Sequence, residues 1–280
     1  MILAVDIDPN HLFFWEPIAF EDTPFEFNRV GLLMLFAAIC CSLFFVAAAR
    51  GASLVPKGLQ NLAETGYLFV RNNIAVDVIG PEGVKYANYL ATLFFFIFFS
   101  NLLEIVPGIN FPVTSRMAIP FMLAILTWII FNFVGLKRQG LKYITGTLFP
   151  PGVPKPVYIL LTPIELFSVF LIRPLTLAVR LLANMMAGHV LLTIFFIFTH
   201  DYLWNGVDFS APLGLVTLAV TCALILFELL VISIQAYIFT MLTAFYIAES
   251  IHGHGAEDHA VDADHVPARH ETEGLAEARA

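Results

Sequence analysis

The chain has 280 residues, 59% hydrophobic and 13% charged, with a formal net charge of −8 and a mean hydropathy of +0.83. Soluble domains carry roughly a quarter charged residues, so this composition excludes a soluble enzyme or a nucleic-acid-binding module and describes an integral membrane protein. The acidic excess comes largely from the two ends, Asp6 to Glu26 and Glu257 to Glu277, and says little about the membrane part.

In chain order, the opening MILAVDIDPN carries acids where a signal peptide would carry lysine or arginine, so the first residues are expected to stay on the mature protein. Runs of about 20 apolar residues can cross a bilayer. Such runs occur near 30–49, 86–107 and 117–136, and again inside the longer blocks 163–199 and 211–250. Between the first two, residues 55–79 mix apolar and polar side chains at helical spacing. That suits a helix along the membrane interface or a connecting helix packed on protein. Cys40, Cys41 and Cys222 sit in apolar spans and read as small packing residues. The expected fold is an all-α integral membrane protein with about five crossings and an interfacial helix. Residues 1–29 would form an external tail, 30–250 the membrane domain and 251–280 a disordered tail.

Lysine and arginine favour the cytoplasmic side. Arg50, Lys57, Arg71 and Lys85 follow the first span, and Lys137, Arg138, Lys142 and Lys155 follow the third. The other loops hold Arg116 alone or no basic residue, and the N-terminal tail sets Arg29 against six acids. The N-terminus is therefore expected outside and the C-terminus inside. The tail from His252 has few apolar residues and five histidines without regular ligand spacing, so no metal site is expected there.

Thr162-Pro163-Ile164-Glu165 has the residues of a helix start, with Thr162 as N-cap and Glu165 closing a capping box. A helix from there to Phe198 would reach roughly 50 Å, against about 30 Å of hydrocarbon, and must tilt or bend. The last block is similarly long, and the polar HDYLWNGVDFS joins the two. An antiparallel hairpin follows, in which residues at equal depth have nearly constant summed numbers. Arg180 with Gln235, His189 with Glu228, and Glu165 with Glu249 all fit one register. At 100° per residue, Asn184 lies about 40° from Arg180 and His189 about 180° from it, so Arg180 and His189 face different environments.

Ionisable groups at membrane depth are costly and mark functional positions. Arg180 stays charged at any relevant pH and can hold a carboxylate ionised or block a leak. No acid of this chain is an obvious partner for it. Ala178, Ala183, Ala187 and Gly188 around it allow another helix to approach, so the partner is expected on another polypeptide. Arg173 is expected to snorkel to the interface. His189 and Glu228 can exchange protons and suit a path from the hairpin tip. Glu165 and Glu249 are weaker candidates, explained respectively by capping and by an interfacial position.

RPLTLAVRLLANMMAGH, LFELLVISIQAYIFTMLTAFYIAE and, more weakly, FFSNLLEIVPG resemble the a subunit of the rotary F-type ATP synthase, its membrane stator. The likeness covers nearly all of Val30 to Ser250. It implies that Arg180 faces the carboxylates of the rotating c-ring and separates two half-channels. It further implies that Asn184, His189, Glu228 and Gln235 hold the family's polar positions, with His189 and Glu228 on the outer, proton-admitting side. The implied partners are the c-ring, the peripheral-stalk b subunits and other ATP synthase subunits, in an energy-transducing membrane, most naturally the bacterial plasma membrane. No cofactor and no metal are implied. The chain would be non-catalytic in itself, and it has no GxxxxGK[ST] phosphate loop. Two other readings stand against this one. A secondary transporter with an arginine-based anion site predicts internal repeats, and none relates the two halves. A membrane scaffold predicts that neutralising Arg180 costs assembly alone.

Overall fold

The computed structural model describes residues 29–50, 55–106, 109, 111–148, 157–204 and 211–252. Residues 1–28, expected as an external tail, the segment 205–210 that joins the two long helices and nearly all of the histidine-rich tail lie outside the described residues. Those described are helical or in turns, with no strand among them. The long elements are α1 (Arg29–Arg50), α2 (Leu59–Val70), α3 (Ala87–Leu102), α4 (Ala118–Gln139), α5 (Leu141–Leu148), α6 (Tyr158–Phe167), α7 (Arg173–Trp204) and α8 (Ala211–His252).

Among the described residues, four helical stretches are long and apolar enough to cross a membrane: α1, α4, the run Tyr158–Leu203 and the run Pro212–His252. The fifth apolar helix, α3, has 16 residues, about 24 Å, and passes into turns toward Val106. Large apolar side chains stay open on the outside of these helices, as at Ile159 (83% exposed) and Leu226 (70%). In water such surfaces would drive association; in hydrocarbon they are the wetted face. The three cysteines are free.

Residues 55–79 divide: α2 stays mostly exposed, and the stretch from Val70 packs on protein. α2 continues through a π-helical stretch, Arg71–Val76, and one turn, Asp77–Ile79. Val70, Ile74, Ala75 and Ile79 bury themselves against Leu90, Phe131 and Ile247. The second core joins α1, α3, α4, α7 and α8 through Ala37, Ile97, Leu123, Leu181 and Phe239.

The third long run does not begin at Thr162. α6 starts at Tyr158 and has Pro163 in its interior, so Thr162 and Glu165 form no capping box. Thr162 Oγ1 instead donates to the Leu148 carbonyl at 3.2 Å, tying α6 to α5. A π-helical stretch, Ser168–Ile172, then joins α6 to α7. Pro174 has no N–H to give the carbonyl of Phe170, four residues back, and the wider π turn falls on that residue.

α7 and α8 pack antiparallel, fixed along their length by Thr199 Oγ1 with Thr221 Oγ1 at 3.1 Å and Asn184 with Gln235 at 2.6 Å. Gly214 lies against Leu203 so closely that a Cβ there would overlap its side chain. The register differs slightly from the depth pairing read in the sequence. Asn184, one turn beyond Arg180, meets Gln235, and Arg173, two turns beyond Glu165, meets Glu249.

Candidate functional site: three polar groups on the long hairpin

Arg180 lies between two polar groups on α7. Arg173 is about 10 Å away along the axis and His189 about 13 Å away in the other direction. The α7 residues Val179, Arg180, Ala183, Asn184 and Ala187 are all exposed, an i, i+3, i+4, i+7 face. On the opposite side Ala178, Leu181, Met185 and Gly188 are buried. The four small residues therefore divide. Ala178 and Gly188 let α7 pack within the chain, and Ala183 and Ala187 leave an open surface around Arg180. Among the described residues Arg180 is in no hydrogen bond or ion pair. Its charge reaches the Tyr246 hydroxyl on α8. Beside it, Asn184 Nδ2 donates to Gln235 Oε1, and the buried Gln235 Nε2 has no partner.

Toward the hairpin tip, His189 (5% exposed) and Glu228 (3%) are buried. His189 Nδ1 lies 3.8 Å from Glu104 Oε1, and its ring meets Phe111 edge-on at 5.6 Å. Glu104, with no exposure at all, sits in the turn after α3 and is close enough to Glu228 for the two carboxyls to interact electrostatically. Asn101 Oδ1 accepts a hydrogen bond from Thr114 Oγ1 at 2.5 Å. Ser100 Oγ, Asn101 Nδ2, both Glu104 oxygens and Glu228 Oε1 have no hydrogen-bond partner among the described residues. Buried polar atoms in this number require water or exchangeable protons, so the cluster has the chemistry of a wet, protonatable path.

Glu228 lies directly on the backbone of Gly188, where a Cβ would overlap its carboxyl group. Gly188→Ala is therefore expected to push Glu228 out of place and to destabilise the hairpin by about 1–3 kcal/mol. Thermal unfolding of the solubilised protein checks this, with Gly146→Ala, which meets nothing within 4 Å, as the comparison.

At the other end, Arg173 does not snorkel. It makes a bidentate pair with Glu249, at 2.5 Å and 2.8 Å, and its guanidinium stands 5.2 Å from the centre of the Tyr246 ring. The pair is mostly buried. An acid from α8 at the same depth offers the guanidinium a better partner than the interface does. Glu249 is thus engaged with Arg173, and Glu165, half-buried on α6, is in no ion pair among the described residues.

Glu104, Ser100, Asn101 and Thr114 were not singled out by the polar pattern of the hairpin. Their signal was present in SNLLE, where Ser100, Asn101 and Glu104 share a helix face at the close of an apolar span.

Comparison with known proteins agrees with the geometry. A family profile described as ATP synthase A chain matches residues 31–248. ATP synthase subunit a of Rhodococcus erythropolis is 42% identical over 249 residues, covering 88% of this chain and 90% of that protein. The subunit a of a Parafrankia species is 46% identical, covering 89% and 83%, and that of Frankia alni 40%, covering 90% and 88%. With an all-helical membrane fold and a family match that spans nearly all of it, the chain belongs to the ATP synthase A chain family.

Proposed function

We propose that this chain is the proton-conducting stator subunit of a rotary ATP synthase in a bacterial plasma membrane, with Arg180 as the fixed charge past which the carboxylates of the c-ring move. The observation that supports it best is the exposure of Arg180 on a membrane-crossing helix without an ion-pair partner among the described residues. A permanent guanidinium at that depth needs an anion, and the open face of Ala183 and Ala187 admits a helix that carries one. The transporter and scaffold readings gain nothing from such a face.

The inlet half-channel runs through Glu104, His189 and Glu228, on the hairpin-tip side of Arg180, the side that faces the outside, with the C-terminus cytoplasmic. A proton passed from this cluster neutralises a ring carboxylate, and the neutral site can then enter lipid at small cost. When that site returns from the other side, Arg180 stabilises the ionised form and the proton leaves toward the cytoplasm past Glu165. Asn184 and Gln235 hold α7 to α8 beside Arg180, and Arg173 with Glu249 does the same one step deeper. Peripheral-stalk b subunits hold the chain still, and ATP chemistry occurs on other subunits.

Passive proton flux through membranes stripped of the catalytic sector tests the inlet. Glu104→Gln with Glu228→Gln is expected to lower that flux by about tenfold or more, since proton relay groups contribute factors of that order upward. Unaltered flux through assembled complexes would remove the cluster from the path.

A further inference from the structure

A crevice with a cavity volume of about 110 Å³ opens between α4, α5 and the π-helical stretch after α6, and neither Arg180 nor the Glu104, His189 and Glu228 cluster lines it. Its walls include Leu136, Ile144, Leu166 and Phe170. The two polar side chains that line it, Asn132 and Tyr143, are already engaged with protein. Asn132 Nδ2 donates to the Trp128 carbonyl at 2.8 Å, Asn132 Oδ1 accepts from Tyr143 Oη at 3.3 Å, and Tyr143 Oη accepts from Ser250 Oγ at 3.5 Å. The ring of Tyr143 is seated on Gly135, where any Cβ would overlap it. The wall therefore offers methyl, methylene and ring surface to its occupant and no free hydrogen-bonding group. A second helix, some 10 Å across, is too wide for the space; a hydrocarbon chain is not.

Two exposed lysines, each next in sequence to a residue that lines the crevice, select among hydrocarbon chains. α5 is a short helix that turns Tyr143, Ile144 and Leu148 to the crevice and keeps Lys142 and Thr145 exposed, the arrangement of a helix lying at a membrane surface. Lys137 follows the lining residue Leu136 and is also exposed. Neither lysine is in an ion pair among the described residues, whereas Arg138 between them is taken by Glu82. Basic residues at the end of a pocket between membrane helices are the recognition chemistry of acidic lipid headgroups.

We propose that this crevice binds an anionic phospholipid, one acyl chain entering between α4, α5 and α6 and the phosphate held by Lys137 and Lys142. The site is independent of the proton path and of which side of the membrane it faces. It can be tested on the whole assembled complex, reconstituted with a trace of phosphatidylglycerol or phosphatidylcholine bearing a photoreactive acyl chain, followed by illumination and peptide mass spectrometry. Phosphatidylglycerol is expected to label the peptides spanning 143–148 and 164–170 several-fold more than phosphatidylcholine. Lys137→Gln with Lys142→Gln brings the two lipids level, and Ile144→Trp, which fills the crevice, lowers labelling by both. Equal labelling by the two lipids in the unaltered complex would overturn headgroup recognition. No labelling of these peptides by either lipid would overturn the site itself, because another polypeptide would then cover it.

Discussion

Complexes carrying Arg180→Ala are expected to assemble in normal amounts and to lose proton pumping. Arg180 is in no hydrogen bond or ion pair among the described residues, so its removal leaves no buried charge unpaired in this chain and costs the fold little. On the proposed mechanism the loss falls on the step at which a ring carboxylate must ionise. A unit charge 4 Å from another contributes about 4 kcal/mol at an effective dielectric of 20, about a thousandfold in the balance between ionised and protonated carboxyl. Without it the carboxyl keeps its proton, and the barrier between inlet and outlet disappears as well. ATP-driven acidification of inverted vesicles, with subunit content measured in the same preparation, gives the test. Pumping is expected to fall by at least a hundredfold, and Arg180→Lys, which keeps the charge without the planar fork, is expected to lie between. Normal pumping by assembled Arg180→Ala complexes would make the residue a structural charge and the mechanism wrong.

The second large effect has the opposite character. Arg173→Ala leaves Glu249 mostly buried without its bidentate partner, and breaking a buried pair costs roughly 3–5 kcal/mol. The side chains keep 17% and 16% of their surface exposed, which puts the expected cost near the lower bound, about 3 kcal/mol. Thermal unfolding and the yield of assembled complex read it directly. Replacing both residues with leucine is expected to recover most of the loss, since two apolar groups in place of a buried pair are often neutral. A double replacement as damaging as Arg173→Ala alone would mean that the charges act beyond their mutual attraction.

The sequence carries depth along the hairpin well and azimuth poorly. Summed residue numbers fix which positions of α7 and α8 lie level, and the polar residues do lie level to within a turn or two. They miss the pairing by about one turn, so Asn184 and not Arg180 meets Gln235, and they do not say which face of each helix turns inward. Thr162-Pro163 failed as a helix start for a reason particular to membranes. A proline inside a membrane helix is tolerated where neighbouring groups satisfy the freed carbonyls, so the helix had no cause to begin there. Arg173 failed the snorkelling expectation because its acid comes from a distant stretch of chain. Glu104 was hidden for the same reason: beside an apolar run it resembles an interfacial acid, and only folding brings it to His189. What local pattern can reveal, the helices and their polar positions, was legible. What depends on contacts between far-apart segments was not.

The two arms of the hairpin differ as mechanical parts. α8 runs for 42 residues, on the order of 60 Å, with its sole proline at the second position, and is a continuous beam. The other arm is jointed, because the π-helical stretch before Arg173 and Pro174 after it interrupt the hydrogen-bond ladder. A load applied sideways at Arg180 would therefore flex the jointed arm about its joint while the beam, clamped to it by Asn184–Gln235 and Arg173–Glu249, resists. In the proposed stator, which must hold one charge at a steady distance from a passing wheel, such a pairing of spring and brace would absorb the unevenness of successive ring subunits without letting the charge drift from its mark.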